Sequence, residues 1–130
     1  MNTKKKIGVQ GYCMGGPYTF IAASNHPSRV GAAGSFHGGG LVTDKPDSPH
    51  LMLAKARAGF LVAIAEGDDA KQPDAKDKLK AAFAAAKLTA TVEVYKAQHG
   101  WCVKDGAVYN PAEAERAWAA LTALYARALV

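Results

Sequence analysis

The chain of 130 residues has the length of one domain, residues 1–130, large enough to bury a core but small for a multi-layer enzyme. Its 49% apolar and 21% charged residues are ordinary for a soluble globular protein. The net charge of +5 is spread between "KKK" near the start and "DAKDKLK" in the middle, with no aromatics interleaved, which argues against nucleic acid as a partner. Cys13 and Cys102 are too few for a disulfide scaffold, and no C-x-x-C spacing points to a metal or a redox pair, so no cofactor is expected. The start "MNTKKKIGVQGYCMGG" copies the basic region of a signal peptide, but Gln10 and the crowded glycines interrupt the apolar run. No stretch reaches transmembrane length, so no membrane partner is expected, and the cytoplasm is the expected compartment.

Four apolar, β-branched or small-residue runs predict buried strands: "KIGVQGY", "VGAAGSFH", "FLVAIAE" and "TVEVY". None alternates cleanly between apolar and polar, as expected of a parallel sheet covered by helices on both faces. "GGPYTFIAASNHP" predicts the first helix, with Pro27 closing it, and "SPHLMLAKARA" a short one before the third strand. In "QPDAKDKLKAAFAAAK", Leu79 and Phe83 lie four apart, Asp74 and Asp77 fall early and Lys87 late, which matches a helix dipole. The last helix opens at "YNPAEAERAW", where Asn110 suits the N-cap, Pro111 the first turn and Glu113 a capping box. Trp118, Leu121, Tyr125 and Ala128 are expected on one face of it. The order is strand then helix, four times over. That is an α/β fold with a four-stranded, mostly parallel sheet flanked by helices. The loop "HGGGLVTDKPDSPH" is long enough to be functional.

In "GYCMGG" a cysteine stands where a strand gives way to a helix, in the serine position of a G-x-S-x-G nucleophile elbow. The nearby helix N-terminus predicts a sulfur biased toward thiolate, with the Met14 N–H aimed at a developing oxyanion. A lone cysteine in a glycine-rich turn is more often buried and inert, so the downstream residues decide. "AEGDDAKQP" places Asp68 and Asp69 beyond the third strand, and "AQHGWC" places His99 beyond the fourth. Nucleophile, acid and histidine then share the C-terminal edge of a parallel sheet, where open α/β folds bind ligands. "HGGG" at residues 37–40 spells a lipase oxyanion motif, but here it follows the second strand. Its glycines are expected to shape the loop over the site, His37 to form a pocket wall rather than act as a base, and Ser35 to lie in the core. Trp101 is read as substrate-lining, with packing the close alternative, and Cys102 as a passive neighbour.

"GYCMGG", "AIAEGDD", "AQHGWC" and "VYNPAEAERAW" together resemble the dienelactone hydrolase family of α/β-hydrolases over essentially the whole chain. The resemblance implies a hydrolase of small-molecule esters or lactones, with Cys13, Asp68 and His99 as its triad. Asp68 follows "AEG" as the family's acid follows its strand, whereas Asp69 suits the distance to Pro73, and both stay open. The resemblance also implies that a family member builds about half of its sheet before the elbow. This chain would then correspond to the C-terminal half of the α/β-hydrolase fold. The other half would carry the second oxyanion donor and the residues that grip the substrate, so weak activity is expected. "IGVQG" would be an edge strand seeking a second copy of the chain or the complementing half. Two other classes compete. A nucleotide-binding module would want an acid after the second strand, where "SFHGGG" stands. A non-catalytic interaction domain keeping the half-fold competes more closely.

Overall fold

A computed structural model describes residues 2–130. The elements run β1 (Ile7–Tyr12), α1 (Gly15–Asn25), β2 (Val30–Phe36), a 3₁₀ helix (Pro49–Lys55), β3 (Gly59–Ala65), α2 (Glu66–Lys71), α3 (Ala75–Ala85), β4 (Ala90–Tyr95) and α4 (Pro111–Ala128). Among the described residues no helix is long and apolar enough to cross a membrane. The strands stand in the order β1-β2-β3-β4 and every adjacent pair is parallel. The expected α/β architecture is therefore present, and the sheet is parallel throughout.

The core explains why β2 and β3 lack a polar face. Every residue of β2 is buried. Successive residues of β3 feed opposite layers: Phe60 and Val62 pack with Phe20, Leu79 and Phe83, while Leu61 and Ala63 pack with Phe36, Trp101 and Leu121. Helices α1 and α3 cover the first layer and α4 the second. Burying one such leucine or phenylalanine stabilises by roughly 1.5–3 kcal/mol, so polar residues at either phase of β2 or β3 would be costly. The register levels the strand ends, with Tyr12 beside Phe36, Phe36 beside Ala63, and Ala65 beside Tyr95. Everything that follows a strand is thereby delivered to one edge.

Three local expectations change. Asn110 does cap α4, accepting from the Glu113 N–H at 3.1 Å, but the reciprocal half of the capping box is missing. The Asn110 N–H already donates to the Trp101 carbonyl at 3.1 Å, so the Glu113 carboxylate turns to the Lys96 N–H and to Arg116. Trp118 does not face the core. It is 53% exposed, and the buried stripe is Ala117, Leu121 and Leu124, with Tyr125 and Ala128 packed at its margin. A residue one position from Ala117 sits about 100° round the helix, which turns Trp118 off the sheet. Finally, Lys87 lies beyond the end of α3 with φ 58°, in the left-handed conformation that terminates helices.

Candidate active site

The corner between β1 and α1 is strained where the chemistry sits. Cys13 has φ 51°, a left-handed backbone that is unfavourable for a residue with a side chain, at a cost of order 1–3 kcal/mol. Its N–H donates to the Phe36 carbonyl at 3.1 Å, and its carbonyl accepts from Gly16 N–H at 3.0 Å, so both sides of the turn are pinned. Gly11 makes the turn possible, because a Cβ there would stand 2.1 Å from the Gly15 carbonyl oxygen. His37, one residue past β2, is strained in the same sense with φ 39°. Two neighbouring strands thus end in left-handed residues whose side chains meet.

The Cys13 sulfur lies 3.2 Å from His37 Nδ1, and the Cys13 N–H also points at that nitrogen, at 3.2 Å. On the far side of the ring the Cys102 N–H approaches Nε2 at 3.4 Å. Trp101 meets the imidazole edge-on, with ring centres 4.9 Å apart, and itself stacks on Tyr95 at 5.1 Å. His37 is fully buried, and burial, followed by the neighbouring His99, lowers its pKa to about 4. A neutral ring can accept from only one of the two amides, and a second ring proton would face a backbone N–H, so the ring is neutral near pH 7.

His99 approaches from the loop after β4. Its Nδ1 pairs with Asp68 Oδ2 at 2.7 Å, and the carboxylate comes from α2 at the end of β3. Asp69 turns away and pairs with Lys76 Nζ at 2.7 Å, so Asp68 is the aspartate in contact with the histidine. One ligand atom each from Cys13, His37 and His99 all fall within 4.8 Å of one another. Met14 stands at the N-cap of α1, where helix-terminal N–H groups have no intrahelical partner.

The thiol itself departs from expectation. Burial, and then the charge of Asp68, raise the Cys13 pKa above its ordinary value. The resting sulfur is therefore a thiol, because desolvation and a nearby carboxylate outweigh the start of α1. Cys102 is pushed further, to about 11, by burial and by Cys13.

A cavity of about 190 Å³ opens beside Asp68, lined by Gly38, Gly39, Gly40, Leu41, Val42 and Ile64 among others. The "HGGG" glycines do shape a wall next to the cluster. Ser35 is in the core, 1% exposed, with its hydroxyl unpartnered. Trp101 is fully buried behind His37 rather than on the cavity wall. The feature that sequence reasoning undervalued is the contact between His37 and the sulfur. It follows from the register, since His37 comes after Phe36, the partner of Tyr12, just as Cys13 comes after Tyr12.

A parallel sheet with helices on both faces, a strained strand–turn–helix elbow and a thiol, imidazole and carboxylate at its C-terminal edge define an α/β-hydrolase core. The sequence profile of the Dienelactone hydrolase family matches residues 1–129. The chain belongs to that family. Among solved structures, a Klebsiella pneumoniae protein assigned as a dienelactone hydrolase is 25% identical with a TM-score of 0.80, over 92% of this chain and 51% of that one. A dienelactone hydrolase-like promiscuous phosphotriesterase from metagenomic libraries is 20% identical, TM-score 0.79, over 97% of this chain and 54% of that one. A dienelactone hydrolase from Anabaena variabilis is 21% identical, TM-score 0.65, over 96% and 50%. The chain thus spans about half the length of these three structures. No curated protein matches it.

Proposed function

We propose that the chain carries the catalytic half of a thiol-dependent hydrolase of small esters or lactones. Cys13 is its nucleophile, His99 the base and Asp68 the group that orients the base. The observation that carries this reading is the 2.7 Å pair of His99 Nδ1 and Asp68 at the same sheet edge as the strained Cys13. That pairing keeps the proton on Nδ1 and leaves Nε2 free to accept one.

In the reaction the sulfur leaves His37, passes its proton to His99 and bonds to the substrate carbonyl carbon. The Met14 N–H steadies the oxyanion. Collapse of the tetrahedral intermediate breaks the ester C–O bond, and His99 returns the proton to the departing alkoxide. Water, deprotonated by His99, then hydrolyses the thioester and restores the thiol. His37, with its lowered pKa, is a poor base at neutral pH. It serves as the wall that seats the resting sulfur, and Trp101 holds it there.

Turnover by this chain alone is expected to be weak, since it spans about half the length of its relatives and loss of a single oxyanion donor costs about 100- to 1000-fold. The second reading, a non-catalytic half-fold, draws on the half-length coverage and on β1 standing at the sheet edge. In either case that edge would receive a second copy or a complementing chain. The test is p-nitrophenyl acetate turnover with the thioester intermediate followed by mass spectrometry. Turnover that disappears in Cys13→Ala supports the first reading. Turnover absent from the unaltered protein, or unchanged in Cys13→Ala, refutes it.

A further inference from the structure

We infer that Cys13, His37 and His99 form a binding site for a borderline-soft divalent cation, Zn²⁺ being the best fit. The inference goes beyond hydrolysis and does not depend on it. The donor set is one sulfur and two imidazole nitrogens, the combination that zinc takes with a fourth position left for water. Tetrahedral zinc with Zn–S near 2.3 Å and Zn–N near 2.0–2.1 Å sets its donors about 3.3–3.6 Å apart. The Cys13 sulfur and His37 Nδ1 are already 3.2 Å apart, and the three donors fall within 4.8 Å of one another. Closing the cluster on a cation needs movement of about an ångström, and His99, on a loop and half-exposed, can supply it.

A second-shell partner is in place for His99. Metal-bound histidines usually pass their other ring proton to a carboxylate or carbonyl. Asp68 holds His99 Nδ1 at 2.7 Å, which leaves Nε2 as the nitrogen free to ligate. His37 is fully buried and braced by Trp101, so its Nδ1 is held 3.2 Å from the sulfur, and a cation there would take the place of the Cys13 N–H that now points at that nitrogen. Binding replaces the thiol proton, releasing one H⁺ and forming a Zn–thiolate bond. A sulfur so engaged cannot attack an ester, so the cation would act as a reversible inhibitor of the thiol chemistry.

The experiment titrates Co²⁺, a spectroscopic stand-in for zinc, into the Cys102→Ser protein and follows the thiolate-to-cobalt charge-transfer band in the near ultraviolet. Zn²⁺ is then added to displace it. The band should appear in Cys102→Ser and vanish in Cys102→Ser/Cys13→Ala. Asp68→Asn should weaken affinity about 10- to 100-fold, the usual effect of losing a carboxylate behind a ligating histidine. His99→Ala and His37→Gln should each reduce affinity further, with circular dichroism confirming that each variant is folded. His99, being half-exposed, keeps the test decisive if His37→Gln does not fold. A band that persists without Cys13, no band at millimolar Co²⁺, or affinity indifferent to both His99→Ala and Asp68→Asn would overturn the inference.

Discussion

The three glycines around the elbow look alike in "GYCMGG" but differ sharply in what surrounds them. Replacing Gly11 by alanine puts a Cβ 2.1 Å from the Gly15 carbonyl oxygen and 2.4 Å from its carbon. Both are backbone atoms, so no side chain can swing aside and the turn must open. Overpacking of this kind costs about 1–3 kcal/mol, and the upper end applies because the same turn is pinned by the Cys13 and Gly16 hydrogen bonds. Gly16→Ala meets the Ser35 hydroxyl at 2.6 Å and Gly38 Cα at 2.8 Å. There the clash is partly offset by about 1 kcal/mol of helix propensity, and a net loss of roughly 1–2 kcal/mol is expected. Gly15→Ala meets nothing within 4 Å and should be neutral or slightly stabilising. Urea unfolding of the three variants measures these differences directly. Labelling of Cys13 by iodoacetamide in a Cys102→Ser background reports whether the sulfur has moved, and Gly11→Ala should change its rate the most. If Gly11→Ala matches the unaltered protein in both assays, or Gly15→Ala is as damaging as Gly11→Ala, the steric account of the elbow is wrong.

Asp68→Asn should cut ester turnover about 10⁴-fold, as loss of the orienting carboxylate does in other triads, while Asp69→Asn, whose contact is Lys76, should stay within a few-fold; steady-state kinetics on both variants decides which aspartate serves. Glu113 has a pKa lowered first by its hydrogen bond to Arg116, so it stabilises the fold above the ordinary carboxylate range and loses that contribution as pH falls through its folded pKa. Thermal melts from pH 7 to pH 3 should therefore show a smaller acid loss in Glu113→Gln than in the unaltered chain, and parallel profiles would contradict the assignment. Leu121 is fully buried on the sheet-facing side of α4, so Leu121→Ala should cost about 3–5 kcal/mol in chemical denaturation. Sedimentation velocity should show concentration-dependent self-association through the β1 edge, and a clean monomer at high concentration would count against it.

Local pattern alone determined the architecture. Strands buried on both faces must be apolar at both side-chain phases, so their runs are visible without any contact being known. In a parallel sheet every strand delivers its following loop to the same edge, and chain order alone therefore sends Cys13, the Asp68–Asp69 pair and His99 to one edge. What depended on tertiary structure was which side chains touch and how they titrate. Cys13 and His37 are 24 residues apart, and their contact follows from two adjacent strands ending level in left-handed residues. Asp68 and Asp69 are adjacent in sequence, but the turn of α2 sends one to His99 and the other to Lys76. Trp118 and the Glu113 carboxylate likewise satisfied a helical pattern while facing elsewhere, because the pattern does not record where the sheet lies or which amides are already bonded. The direction of the Cys13 shift has the same origin. A helix start is legible in sequence, whereas the burial and the Asp68 charge that outweigh it exist only once the chain has folded.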